Sequence, residues 1–158
     1  MSFSVVMVCT GNICRSTMAE QLLREAVEHA DLDVRVDSAG ISDEEEGNPI
    51  DYRAERVLRE AGYGIPTHRA RQLLPSELSQ WDLIIPMTRG HERAIERMAA
   101  RTGTDPDVHL MREFDPQADS DLDLPDPWYG GHQDFVDTLE VLERSIPGVV
   151  DYIREHRQ

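Results

Sequence analysis

The sequence predicts a single α/β domain over residues 1–158, with a twisted, four-stranded parallel sheet and helices on both of its faces. Three observations lead to this fold class. Short apolar runs alternate about four times with amphipathic helical patterns, which is typical of a parallel sheet. The length of 158 residues suits one ordinary domain and is enough to bury a core. No linker, repeat or break in composition divides the chain.

The four strands are predicted from short runs of buried-type residues. In chain order they are Val5–Val8, Val34 with Val36, Leu83–Ile85, and Val108 with Leu110 and Met111. Ligands of such sheets bind beyond the carboxyl ends of the strands. A functional site is therefore expected in the turn-forming loop that follows the first strand.

The helices are predicted from apolar residues at helical spacing. They start at Ser16, cover Tyr52–Ala61 and about Arg89–Ala100, and end with a pattern from Phe135 to Ile153. Pro147 lies inside the last pattern and is expected to kink or restart that helix. Two loops are acidic, a short one from Asp43 to Gly47 and a long Pro-rich one from Asp115 to Trp128.

Charge and composition exclude several classes of function. The chain has 16 basic and 31 acidic residues, a net charge of −15, which argues against nonspecific binding to nucleic acid or to an anionic membrane. Every basic residue is arginine, so Schiff-base chemistry and a Walker-type phosphate lysine are excluded. With no basic N-terminal run and no apolar stretch of membrane-spanning length, a cytoplasmic protein is expected, although export without a signal peptide stays open. A monomer is the simplest expectation for the oligomeric state, which the sequence leaves open.

The loop Cys9–Ser16 carries the chemistry. A loop entering a helix N-terminus directs several backbone N–H groups at one point, which makes an anion site. Gly11 and Asn12 suit a tight turn, and the Arg15 guanidinium matches two oxygens of a phosphate. Cys9 would lie beneath the anion as a thiolate nucleophile aimed at phosphorus. The alternative is a buried free cysteine and a surface arginine; two thiols are in any case too few for a zinc site.

This loop resembles the signature loop of the low-molecular-weight protein tyrosine phosphatases, and the resemblance extends over nearly the whole chain. Four further segments occur in the family's order and spacing: Asp37–Gly40, Gly47–Pro49, His68–Gln72 and Asp126–Gly130. The resemblance implies a four-stranded parallel sheet and hydrolysis of phosphotyrosine on protein substrates through a phosphocysteine. It implies neither a metal nor another cofactor.

The resemblance also implies roles for individual residues. Cys9 matches the nucleophile, Arg15 the residue that binds the phosphoryl oxygens, and Asp126 the general acid and base. The phosphate-binding loop would comprise Thr10, Gly11, Asn12, Ile13, Cys14, Arg15 and Ser16. Ser16 resembles the hydroxyl that stabilises the thiolate, and Cys14 the thiol that traps oxidised Cys9 as a reversible disulfide. Asn12, Ser38 and His68 resemble the network that holds the loop in shape.

Substrate preference is predicted from the residues around this loop. Trp128 and Tyr129 follow the acid closely and are expected to form a wall against an aromatic ring, with core packing as the alternative. Glu44 belongs to an acidic run where many family members have an aromatic residue. That run is either a solvated loop or a feature that disfavours acidic phosphopeptides. Ile13 favours phosphotyrosine over phosphoarginine, because the family's arginine phosphatases carry threonine there.

Three other activities are less favoured by the same residues. A redox sensor built on Cys9 and Cys14 would not need Arg15 or Asp126. A phosphopeptide-binding module typically loses the nucleophile or the acid, and this chain keeps both. An arsenate reductase of this family needs cysteines downstream of Cys14, and the chain has none.

Overall fold

A central parallel sheet organises the fold in the computed structural model, which describes residues 2–157. Its three strands are β1 (Phe3–Cys9), β2 (Val34–Gly40) and β3 (Leu83–Pro86), in the spatial order β2-β1-β3. Cys9 pairs with Gly40 and Val8 with Pro86, so the carboxyl ends of all three strands meet at one edge. That edge is where the sequence predicts a functional site.

The prediction of a fourth strand is wrong, because the sheet has three strands within the described residues. Val108 makes only one isolated parallel bridge to Ile84, in which Ile84 N donates to Asp107 O at 2.9 Å and His109 N donates to Ile84 O at 3.1 Å. The chain then enters a short 3-10 helix, Met111–Phe114, whose Glu113 carboxylate accepts from the N–H of Leu110. The apolar run correctly indicates buried residues, but it does not indicate strand pairing. Leu110 and Met111 are buried without continuing the sheet.

Four α-helices surround the sheet. They are α1 (Arg15–His29), α2 (Tyr52–Glu60), α3 (Arg89–Thr102) and α4 (His132–His156). α4 continues through Pro147, so the helix does not restart at that residue. Within residues 2–157, none of the helices combines the length and the apolar character needed to cross a bilayer.

The prediction of helices on both faces is confirmed by the side chains of β1, which is buried on both sides. Val5 and Met7 belong to the larger core, together with apolar residues of α1, α2 and α4. Val6 and Val8 point to the other face, where Ile95 of α3 belongs to the same cluster. Packing on both faces holds β1 firmly, and the loop that follows it starts from a rigid strand.

Candidate active site

The loop between β1 and α1 forms the centre of the candidate site. β1 ends at Cys9 and α1 begins at Arg15, so residues 10–14 make the whole connection. Asn12 has φ 63°, the left-handed conformation that asparagine tolerates better than most residues. Cys14 is the N-cap of α1 and its side chain makes no capping hydrogen bond. The first N–H groups of α1 are therefore oriented to bind an anionic ligand.

A hydroxyl group faces the sulfur of Cys9. Cys9 Sγ lies 3.0 Å from Ser16 Oγ, and both side chains are buried. Asn12 Nδ2 donates to the same Ser16 oxygen at 2.8 Å. Because that oxygen already accepts from Asn12, its own hydrogen is free to point at the sulfur. The Ser16 hydroxyl is thus placed to donate a hydrogen bond to the Cys9 sulfur.

Asn12 connects the loop to the interior in three directions. Its Nδ2 also donates to Ser38 Oγ at 2.9 Å, and Ser38 Oγ donates onward to Glu20 Oε1 at 2.6 Å. Its Oδ1 lies 2.7 Å from His68 Nε2 and accepts from Arg71 N at 3.1 Å. An amide oxygen only accepts, so His68 Nε2 carries the proton in this bond. These contacts bring together the predicted set Asn12, Ser38 and His68.

Two carboxylates lie behind this network, in a position that could suggest a metal site. Glu20, Asp37 and His68 offer ligand atoms within 4.8 Å of one another. Each is already engaged, since Glu20 accepts from Ser38 and Arg24, and His68 Nδ1 lies 3.3 Å from Asp37. We interpret the three as a polar support for the loop.

Asp37 is ionised within this support. Burial by itself would raise the pKa of its carboxyl group. The hydrogen bonds from His68 and from the Ser38 N–H, together with the charge of Arg71, outweigh burial and hold that pKa below its ordinary value. A carboxylate that stays charged at neutral pH keeps its partners fixed in place.

Arg15 and Asp126 meet above the loop. The Arg15 guanidinium is buried, and its Nη1 donates to the carbonyl oxygen of Leu124 at 2.8 Å. Its Nη2 lies 3.6 Å from Asp126 Oδ2. Asp126 Oδ1 accepts from Trp128 N at 3.0 Å, which caps the short 3-10 helix Pro127–Tyr129. The Asp126 side chain remains 42% exposed, so one oxygen is anchored while the other lies beside Arg15.

These groups line one cleft of about 190 Å³. Its lining residues are Cys9, Thr10, Gly11, Ile13, Cys14, Arg15, Glu44, Glu45, Asp126, Trp128 and Tyr129. Asn12 and Ser16 do not line it, because their side chains are buried behind the loop. Trp128 is 38% exposed and Tyr129 91% exposed, so these two aromatic rings belong to the cleft wall and not to the core.

Comparison with known proteins identifies the family. The family model described as low molecular weight phosphotyrosine protein phosphatase matches residues 4–158. The chain belongs to this family. A low molecular weight protein-tyrosine-phosphatase from Streptomyces coelicolor is 44% identical over 158 residues, covering 98% of this chain and 96% of that protein. The predicted resemblance to this family is thereby confirmed, and the protein is a protein tyrosine phosphatase of the low-molecular-weight family.

Similar solved structures support the assignment of the protein to this phosphatase family. The crystal structure of YfkJ from Bacillus subtilis matches with a TM-score of 0.89 and 28% identity, over 100% of this chain and 98% of that chain. The structure of YwlE, an arginine phosphatase, matches with a TM-score of 0.84 and 26% identity, over 98% of each chain. Proteins with this fold therefore act on more than one kind of phosphorylated substrate.

The second thiol of the phosphatase belongs to Cys14, at the N-cap of α1. Cys14 is buried, and both thiols are free. Burial, followed by the nearby carboxylate of Asp51, raises the pKa of the Cys14 thiol far above its ordinary value. Cys14 is therefore a protonated thiol at neutral pH.

One histidine of the phosphatase site escaped the sequence prediction. His91 of α3 is buried, and its Nε2 lies 2.8 Å from Thr10 Oγ1 in the loop between β1 and α1. Within the described residues its Nδ1 has no hydrogen-bond partner. Burial, and then the positive charge of Arg15, lower the pKa of His91 to about 4. A lone histidine in a helical pattern gives no sequence signal for such a contact.

Three other side chains at the phosphatase site were also missed. Glu45 lines the cleft beside Glu44. Arg71, which lies inside the His68–Gln72 segment, joins the network through its guanidinium, which donates to Asp37 Oδ2 at 3.2 Å. Glu20 did carry a signal, because it is four residues after Ser16 and lies on the buried side of α1. A charged residue on an apolar helix face indicates a buried partner.

Proposed function

We propose that this phosphatase hydrolyses phosphotyrosine on proteins through a covalent phosphocysteine on Cys9. The observation that supports it best is the convergence of Cys9, Arg15 and Asp126 on one cleft at the N-terminus of α1. In the first step the thiolate forms an S–P bond while the bond from phosphorus to the phenol oxygen breaks. Asp126 gives its proton to the leaving oxygen.

The second step returns the enzyme to its starting state. The ionised Asp126 takes a proton from water, whose oxygen then attacks phosphorus as the S–P bond breaks. Inorganic phosphate leaves, Cys9 is again a thiolate and Asp126 is again an acid. Throughout both steps, Arg15 and the N–H groups of the loop stabilise the charge on the phosphoryl oxygens.

The lining of the cleft supports phosphotyrosine as the substrate. Trp128 and Tyr129 offer aromatic surface to a phenyl ring at the same cleft as Cys9. The YwlE match makes phosphoarginine the second candidate. Ile13 favours the first, because it lines the cleft with an apolar side chain where the family's arginine phosphatases have a threonine hydroxyl.

We further propose that the acidic wall, Glu44 and Glu45, selects among phosphotyrosine peptides. Both residues line the cleft, within a chain whose net charge is −15. Acidic residues next to the phosphotyrosine would be repelled at this wall, and basic residues would be tolerated or attracted. A panel of phosphotyrosine peptides tests this, with E44Q/E45Q as the variant. A wild-type preference for acidic flanks would contradict the proposal.

The catalytic assignment is tested with a small aryl phosphate. We expect Cys9→Ser to abolish turnover, and Asp126→Ala to lower it by roughly 10² to 10⁴, the usual contribution of a general acid. Asp119→Ala is the control, since Asp119 is an exposed carboxylate of the same long loop that does not line the cleft. Turnover that survives Cys9→Ser would overturn the phosphocysteine mechanism.

The substrate assignment is tested separately. Wild-type enzyme should release phosphate faster from a phosphotyrosine peptide than from a phosphoarginine peptide. Ile13→Thr should move the ratio toward phosphoarginine. A wild-type preference for phosphoarginine would establish the second candidate instead.

A further inference from the structure

One arginine outside the cleft joins the phosphate-binding loop to the segment that carries Asp126. Arg53 is the second residue of α2, and Asp51 is the N-cap of that helix. Asp51 Oδ1 accepts from Arg53 N at 2.8 Å and from Arg53 Nε at 3.1 Å, while Arg53 Nη2 donates to Asp51 Oδ2 at 3.2 Å. The buried Asp51 in turn donates its own N–H to Ile13 O at 2.9 Å. One end of Arg53 is therefore fixed to the loop around Cys9.

The other end of Arg53 contacts the acid loop, which we define as residues 124–130. Arg53 Nη1 donates to the carbonyl oxygen of Trp128 at 3.0 Å. The guanidinium carbon lies 5.0 Å from the centre of the Trp128 ring and 4.7 Å from that of Phe135 in α4. Distances of this size give favourable cation–π contacts. The guanidinium is thus held between the acid loop and α4.

This contact stands at a particular point of the acid loop. On the N-terminal side of Asp126, the loop is tied to the protein through Leu124, whose N–H donates to Met87 O at 2.9 Å and whose carbonyl accepts from Arg15. On the C-terminal side, the described residues 127–130 make one hydrogen bond to a distant segment of the chain. It is the bond that Arg53 donates to the carbonyl oxygen of Trp128. Trp128 N also binds Asp126 Oδ1, so moving Trp128 moves the carboxyl group.

We propose that Arg53 is a positioning residue, which fixes the Asp126 carboxyl group relative to Cys9 by holding the backbone of Trp128. Arg53 does not line the cleft and is assigned no contact with the substrate. The inference rests on the proposed role of Asp126 as the general acid. A displacement of about 1 Å in a reacting group costs up to about a hundredfold in rate.

Leaving groups distinguish this role from general structural damage. Phenol needs a proton as it leaves, since its pKa is about 10. A dinitrophenol leaves as a stable anion and needs little help. Misplacing the acid therefore slows hydrolysis of phenyl phosphate and spares that of 2,4-dinitrophenyl phosphate. Damage to the loop around Cys9 would slow both, because both substrates need the nucleophile and the phosphate site.

The experiment compares kcat/KM for these two substrates in Arg53→Met and Arg53→Lys. This ratio reports the steps up to formation of the phosphocysteine. Methionine keeps an apolar stem against the rings and removes every donor. We expect Arg53→Met to lower kcat/KM for phenyl phosphate about tenfold to a hundredfold, and for the dinitrophenyl ester less than about threefold. Arg53→Lys, which keeps the charge and one donor group, should lose less.

Arg56→Met is the matched control, because Arg56 lies on the same helix and its salt bridge to Glu60 is exposed. It should leave both substrates unchanged. The inhibition constant of inorganic phosphate should also stay unchanged in the Arg53 variants. Should Arg53→Met not fold, the same comparison is decided by Arg53→Lys. Equal losses on both substrates, or no loss on either, would overturn the positioning role.

Asp126→Ala separates the failure of this inference from failure of the proposed function. A leaving-group-dependent loss in Asp126→Ala without one in Arg53→Met would overturn the role of Arg53 alone. No such loss in Asp126→Ala would overturn the acid assignment itself. In the double variant, Arg53→Met should add no further dependence on the leaving group, because the group that it positions is already absent.

Discussion

Replacing His91 with glutamine should make the protein less sensitive to acid. His91 is 7% exposed and is held between Thr10, to which its Nε2 is bonded, and the positive charge of Arg15. The carboxylates of Asp126 and Asp123 oppose Arg15 but act less strongly on the imidazole. Burial and Arg15 together lower the pKa of His91 from 6.5 to about 4, so it is neutral in the folded protein at neutral pH.

The sign and size of the effect come from the two pKa values. Between pH 6.5 and about 4, the unfolded chain binds a proton at this position and the folded protein does not, so acid favours unfolding. When the pH falls below both pKa values, this difference in proton binding lowers the unfolding free energy by about 3 kcal/mol in total. Between about pH 7.5 and about pH 5.5, this difference amounts to about 1 kcal/mol. Glutamine does not titrate and lacks this contribution.

Urea unfolding at about pH 7.5 and about pH 5.5 measures this contribution to the unfolding free energy. Both pH values lie above the isoelectric point of about 4.6. The loss of unfolding free energy on acidification should be about 1 kcal/mol smaller in His91→Gln than in wild type. Comparing each protein with itself cancels any constant loss of stability. His29→Gln is the control, since it removes an exposed histidine of α1. An equal loss in wild type and His91→Gln would refute the neutral, buried imidazole.

Three further changes test the loop, the core and the second thiol. Gly40→Ala would place a Cβ atom 2.6 Å from Thr10 O, so kcat/KM on aryl phosphates should fall at least about tenfold, whereas Gly131→Ala, with nothing within 4 Å, should be nearly silent. Ile85→Ala should lower the urea-unfolding free energy by about 2–5 kcal/mol, and a loss under about 1 kcal/mol would contradict its core position in β3. Cys14→Ser should reduce the activity that thiol reductant restores after peroxide, because oxidised Cys9 then lacks a partner; equal recovery would remove Cys14 from any redox role.

The sequence predicted best what depends on neighbouring residues. β1, β2 and β3 were found from their apolar runs, and the loop around Cys9 from a segment of eight residues. Their physical causes are local, since a run of buried residues forms a strand and a helix N-terminus binds an anion. Val108 shows the limit of this reasoning. It is an apolar residue in the right place, yet it pairs at one position because the chain turns into a 3-10 helix.

What the sequence did not predict are contacts between distant segments. His91 is 81 residues from Thr10, and Arg53 is 75 residues from Trp128. Such pairs depend on where helices settle against the sheet, and a histidine or arginine in a helix gives the same pattern with or without a partner. The predicted set Asn12, Ser38 and His68 came from the family resemblance, because composition and periodicity carry no sign of it.

The charge of the whole molecule bears on the proposed selection of substrates at this site. The protein carries −15, and the cleft is lined by three acidic side chains, Glu44, Glu45 and Asp126. Arg15 is the one basic side chain among its lining residues. The long-range field therefore repels a phosphate dianion, and in the proposed mechanism binding depends on short, directed hydrogen bonds from Arg15 and the loop N–H groups.

Repulsion between exposed charges is screened beyond about 8 Å at physiological salt, while contacts inside the cleft are screened much less. The field therefore acts mainly on groups near the cleft mouth, where the residues flanking a phosphotyrosine would lie. Basic flanks offset the charge of Glu44 and Glu45, and acidic flanks add to it. In the proposed function, an acidic rim around a cationic floor thus separates the recognition of phosphate, which every substrate shares, from the recognition of the peptide around it.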